Sequence, residues 1–300
     1  MHYLLLDPFA AAYMRRALAE LALLGVFGGI VGVHVLLRRL AFQTEVVQHT
    51  VFPGIAIAFA LGQPLLLGAL ATGVLAVVML TIGQRRPRVD PDALMALLIA
   101  TFFAAGVVVV SRRRGFQSDL TSLLFGRILA VDRQELVSTA IVAVIGLTAL
   151  LLVHKELVLL AFDPAGSAAL GYRVARLELL LNLVVMLVVV VAVRALGTVL
   201  VVAFVVTPAA AARLLTRRIL PMMVTAVAVA VLSGWLGLVV SYQGSVRHGW
   251  RLASGATVVV VLTVVFLGAA GARQALAAHR HRRLAGAAPD QVTGPAAVAS

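Results

Sequence analysis

Long apolar runs alternate along the chain with short polar breaks, many of them rich in arginine. The apolar stretches fall at about 17–37, 51–62, 65–83, 93–110, 137–153, 177–193, 196–215, 219–241 and 252–271. A helix needs roughly 20 apolar residues to cross the hydrocarbon core of a bilayer. The pattern therefore predicts an all-α, polytopic membrane protein with about eight or nine transmembrane helices. The second stretch is short. Gly62-Gln63-Pro64 breaks an otherwise uncharged run from Thr50 to Gln84, too long for one ordinary helix, so two segments joined by a tight turn are expected there. Short or broken segments are where transporters often hold their substrates. The expected organisation is an N-terminal segment (1–16), a transmembrane domain (17–271) and a basic tail (272–300). The tail is rich in Ala, Arg, His, Gly and Pro and is expected to be disordered.

Composition removes the soluble alternatives. The chain is 62% hydrophobic and 12% charged, with a mean hydropathy of +1.07, which is too apolar for a domain with a wet surface. The formal charge of +13 does not point to nucleic acid, because the arginines sit in clusters between apolar runs. With nine alternating spans, Arg38-Arg39, Arg85-Arg86-Arg88, Arg217-Arg218 and Arg280, Arg282 and Arg283 all fall on one side. The positive-inside rule makes that side cytoplasmic. The C-terminus and the 154–176 segment then lie in the cytoplasm of a bacterial plasma-membrane protein, and the N-terminus outside. Arg112-Arg113-Arg114 falls outside as well, which the charge rule disfavours. No cleavable signal is expected, since Asp7 and Pro8 interrupt the run from Tyr3 to Leu6 and Arg15-Arg16 follow it.

Cysteine is absent, so a bound metal would need histidine, carboxylate, carbonyl or water ligands. The segment Glu45-Val46-Val47-Gln48-His49 supplies two of these. On a helix, positions i and i+4 share a face, and a carboxylate and an imidazole there can offer oxygen and nitrogen to one divalent cation. The alternative is an ion pair or hydrogen bond at the interface. The order and spacing are not those of the HExxH metalloproteases.

A second local feature runs from Phe162 to Tyr172. Asp163 can cap free N–H groups, Pro164 suits the first helical position, and Gly171 can take the left-handed conformation that ends a helix. Small residues between them, Ala168 included, would let a partner surface come close, and protein docking is preferred to a helix lying on lipid. Lys155, the only lysine, is not in a glycine-rich phosphate loop, so ATP-driven work would fall to another subunit. The chain itself is not expected to be an enzyme. Gly25, Gly28, Gly29 and Gly32 allow a close helix approach, with packing within the subunit preferred to a contact between copies. Pro208 is the expected bend of the seventh span. Lesser polar candidates are His34, Asn182 (an interhelical hydrogen bond), Asp119 beside Ser118, Thr121 and Ser122, His248, and the tail residues His279 and His281.

At these residues the chain resembles the ABC-3 family of metal-importer permeases over about residues 17–271. The matching stretches are Gly32 to Gly54 (GVHVLLRRLAFQTEVVQHTVFPG), Asp119 to Val131 (DLTSLLFGRILAV), Phe162 to Gly171 (FDPAGSAALG) and Gly197 to Ala212 (GTVLVVAFVVTPAAAA). The family typically has aspartate four residues before the histidine of its second helix, so the resemblance implies that Glu45 and His49 handle metal. It departs from the family at Glu45 itself, at Gln48, where a small residue is common, and in the longer SYQGSVRHGWRLASGA segment. The resemblance further implies a type II importer-like permease whose 162–171 segment is the coupling helix seated in a cytoplasmic ATPase. The implied partners are that ATPase, an extracytoplasmic metal-binding protein and a second permease copy. No cofactor is expected to be permanently bound. The cargo is a divalent metal, zinc first, with manganese or iron as alternatives, and ATP stays on the partner subunit. Competing readings are an iron-chelate or cobalamin permease, an ion-coupled secondary carrier and a membrane scaffold.

Overall fold

The structure is a computed structural model and describes residues 7–86, 88–111, 126–198, 200–249 and 252–285. Arg112-Arg113-Arg114, Ser118, Asp119, Thr121, Ser122 and the tail beyond 285 lie outside the described residues. Every regular element among those residues is helical. They are α1 (Ala12–Leu37), α2 (Ala41–Ala60), α3 (Leu65–Gly83), α4 (Pro91–Ser111), α5 (Arg133–Leu152), α6 (His154–Phe162), α7 (Pro164–Ala169), α8 (Val174–Leu196), α9 (Val201–Leu215), α10 (Ile219–His248) and α11 (Ser254–Ala285), with two 3-10 turns at Asp7–Ala10 and Ile128–Ala130.

Seven of these, α1, α3, α4, α5, α8, α10 and α11, are long and apolar enough to cross a membrane. Helix α2, with 20 residues, and the shorter apolar α9, with 15, pack among them. The main differences from the apolar pattern are at helix ends. Helix α1 starts at Ala12, ahead of Arg15 and Arg16, whose guanidinium groups donate back to the carbonyls of Ala10 and Ala12. Helix α2 starts at Ala41, so the polar stretch before Thr50 is its first two and a half turns. Helix α10 runs through 241–248 and stops at Gly249, which is left-handed at φ 64°. Helix α11 continues past Gly271 to Ala285. The side chains of His248, His279 and His281 lie outside the described residues.

Helices α1 and α8 form the centre, and both are mostly buried. Helix α1 packs on α10, α9, α5 and α8, while α8 also holds α3 and α5. Without a hydrophobic force between helices in lipid, close backbone approach has to come from small residues. Gly25 and Gly29 lie on the backbone of α10 at Val231 and Val227, and Gly28 and Gly32 face Val205 of α9. The glycine series is thus used inside the subunit. A methyl group at Gly32 would run into the Val205 carbonyl oxygen, whereas at Gly28 its nearest neighbour is 3.7 Å away. Gly32→Ala is therefore expected to destabilise by about 1–3 kcal/mol, and Gly28→Ala to change little. Thermal melting of the two variants in detergent compares them directly.

Ion pairs mark the two faces of the bundle. On one face Glu178, early in α8, meets Arg38 at the end of α1 (2.8 Å) and Arg85 just beyond α3 (3.5 Å). On the other, Glu135 at the start of α5 meets Arg194 near the end of α8 (2.7 Å). There Gly126 packs so tightly on the Ala195–Gly197 backbone that a side chain would collide with it. Helices α6 and α7 lie on the Arg38–Glu178 face. These pairings agree with successive helices running in alternating directions.

Candidate metal-pathway site

Helix α2 sits between α3 and α4. Gly54 and Gly68 meet backbone to backbone, each filling the space that a Cβ on the other would need. Thr72 of α3 donates to the carbonyl oxygens of Gly68 (3.1 Å) and Val51 (3.4 Å). On the α4 side Gly106 leaves room for the Phe52 ring, which stacks on Phe103 at 5.5 Å between centroids.

Glu45 and His49 project from this wedged helix one turn apart, with His49 Nε2 3.1 Å from Glu45 Oε1. The His49 ring stands edge-on to Phe103. The two side chains are 36% and 31% exposed respectively, so each keeps about a third of its surface open among the described residues. An ionisable pair on a membrane helix cannot face lipid cheaply, and this face must meet water or another protein surface. Pro53 has no N–H, which leaves the His49 carbonyl without the donor that helical spacing would supply. Gln48 is buried, and its Oε1 has no partner among the described residues.

Two side-chain ligands are too few to enclose a divalent cation, which takes four or more. Among the described residues no group of three or more His, Asp or Glu side chains is placed to hold one. A two-fold axis beside α2 would double the donor set to two carboxylates and two imidazoles.

Helix α7 is built as its residues suggest. Asp163 Oδ1 accepts from Gly166 N at 2.8 Å, and Pro164 takes the first helical position. At the far end Gly171, with φ 83°, donates to the Ala168 carbonyl, and Tyr172 N donates to that of Ser167. This paired bonding closes the helix. Phe162 and Leu170, either side of it, are 69% and 70% exposed. Asp163→Ala is expected to cost α7 about 1 kcal/mol of stability through the lost cap. Faster amide exchange at Gly166 would show it.

Pro208 lies buried inside α9, which packs mainly on α1, α10 and α11, so it stands apart from the pair. Sequence reasoning passed over Glu20 and did not reach the contacts of His34 and Arg38. Glu20, an acid within the apolar run of α1, is buried and accepts from Thr139 of α5 at 2.7 Å. His34 contacts His154 at 3.2 Å. Arg38 joins α1 to α6 and α8. A lone acid in a span is a usable signal, but the partners of His34 and Arg38 are 120 or more residues away and leave no local trace.

Seven helices long and apolar enough to cross a membrane, with two further helices packed among them in the described residues, define a polytopic membrane protein. Residues 10–272 match the ABC 3 transport family, and the chain belongs to it. It is 34% identical over 255 residues to the manganese transport system membrane protein MntC of Halalkalibacterium halodurans, covering 85% of both chains. It is 31% identical to the chelated iron transport system membrane protein YfeC of Yersinia pestis, over 88% of this chain and 87% of that one. Among solved structures, PsaBC from Streptococcus pneumoniae in complex with Fab superposes with a TM-score of 0.79 at 27% identity, covering 90% of this chain and 95% of that one.

Proposed function

We propose that this chain is the permease subunit of an ATP-driven importer for a divalent metal, with manganese the favoured cargo. The observation that carries the reading is the Glu45–His49 pair, held on a wedged helix and about a third exposed among the described residues. In a dimer of two copies the pairs would face each other and offer mixed oxygen and nitrogen donors. Such a set accepts manganese, iron and zinc alike, so the donors alone do not choose the cargo. The sequence put zinc first. Relatives named for manganese and for chelated iron move manganese ahead of it.

The face that carries α7 and the arginine clusters is cytoplasmic, and the C-terminus lies there too. Helix α7 docks on the ATPase, which binds and hydrolyses the nucleotide, while an external binding protein delivers metal to the opposite face. Nucleotide-driven closure then changes which side Glu45 and His49 can reach. Pro208, which leaves the Phe204 carbonyl without its helical donor, is the point at which α9 can bend. The permease makes and breaks no covalent bond.

The chelated-iron relative favours a second reading, a permease for a metal chelate. The test is uptake of radiolabelled manganese in cells lacking the chain and complemented with it. Competition by free manganese but not by an iron chelate supports the proposal. Competition by the chelate alone supports the second reading.

A further inference from the structure

Helix α6, which leads into α7, is fastened to α1 at both ends. His34 and Arg38 lie one turn apart on the last turns of α1. His34 Nε2 meets His154 Nδ1, at the first residue of α6, at 3.2 Å. Arg38 Nη1 donates to the Leu160 carbonyl, near the end of α6, at 2.9 Å. Only Asp163 separates α6 from α7, and it serves both: its N–H donates to Leu159 and its side chain caps α7. The two helices therefore form one stiff unit. The second terminal guanidinium nitrogen of Arg38, Nη2, reaches Glu178 on α8 at 2.8 Å. One side chain thus grips the elements before and after α7, through charge-assisted bonds with little exposure, 16% at Arg38.

The other side of Arg38 leads to the metal pair. Three residues, Arg38 to Leu40, make the elbow between α1 and α2. Arg39 is left-handed at φ 57°, the one described non-glycine residue with positive φ, a conformation that costs an L-residue energy. Helix α2 begins at Ala41, and Glu45 lies just beyond its first turn. A displacement of α7 therefore has a short path through α6 and Arg38 to the strained elbow and on to Glu45 and His49.

We propose that Arg38 is the positioning residue that couples α7 to the metal pair, a role that rests on the importer function proposed above. The test uses the permease assembled with its ATPase and binding protein in liposomes, with manganese uptake and ATP hydrolysis measured on the same vesicles. Arg38→Gln is expected to leave ATP hydrolysis within about twofold of wild type and to lower manganese moved per ATP about tenfold. Arg38→Lys, which keeps the charge but loses the second planar donor, should fall between them. Because the chain has no cysteine, an Arg38→Cys/Glu178→Cys variant can be bridged by a reducible bifunctional thiol reagent. Bridging should raise the ratio, and reduction should lower it again. An unchanged ratio in Arg38→Gln overturns the proposal. Loss of ATPase co-purification in Arg38→Gln also overturns it, in favour of a purely structural role. A wild-type complex that hydrolyses ATP but moves no divalent metal instead overturns the importer function, and the coupling role falls with it.

Discussion

Replacing Glu45 and His49 together by alanine is expected to reduce manganese uptake by at least about a hundredfold at unchanged membrane abundance, since even outer-shell metal partners are worth about 10–100-fold. The fold should tolerate the change. Both side chains are about a third exposed; they meet each other, and the His49 ring meets that of Phe103. The α2–α3 contact at Gly54 and Gly68 lies two turns further along and does not involve them. Single substitutions separate the two donors. Glu45→Asp keeps the charge but retracts it by one methylene, so uptake should fall only partly. His49→Gln replaces nitrogen by oxygen, which suits manganese better than zinc, and competition by zinc should weaken relative to wild type. Radiolabelled uptake in complemented cells, normalised to permease detected in membranes, measures all three.

Charging the two apolar residues beside α7 is the second large effect. Phe162 and Leu170 are more than two-thirds exposed and flank the six-residue helix α7. Exposed apolar side chains flanking a rigid, capped turn have the form of interface anchors. Two such anchors at roughly 1–2 kcal/mol each imply about a hundredfold weaker ATPase binding for Phe162→Asp/Leu170→Asp. Co-purification of the ATPase should be lost while the permease still inserts and melts normally. Retained co-purification would move the docking surface elsewhere.

The apolar pattern exposed the crossing segments well because the hydrocarbon core disfavours polar side chains over most of a span's length. The match is closest at α3, where Leu65–Gly83 has the bounds read from the sequence. It was poor at the start of α2, whose first turns hold Gln43, Glu45, Gln48 and His49. Polar chemistry in a span hides that span from an apolarity count, and here the hidden turns are the ones that carry the candidate site. The α7 turn was legible because capping is local: Asp163, Pro164 and Gly171 each act within five residues of themselves. Glu178, His154 and Thr139 were not, since their roles arise from helices brought together by packing. Packing within the subunit is the preferred reading of the α1 glycines from sequence, and the helices they meet are α9 and α10.

Binding of radiolabelled manganese to the purified permease, counted per chain, tests the shared site most directly. The expected result is about one ion per two chains, as a site on a two-fold axis requires, displaced by zinc and lost in the Glu45→Ala/His49→Ala variant. One ion per chain, or binding that survives the double substitution, would contradict a metal site built from Glu45 and His49 of two copies.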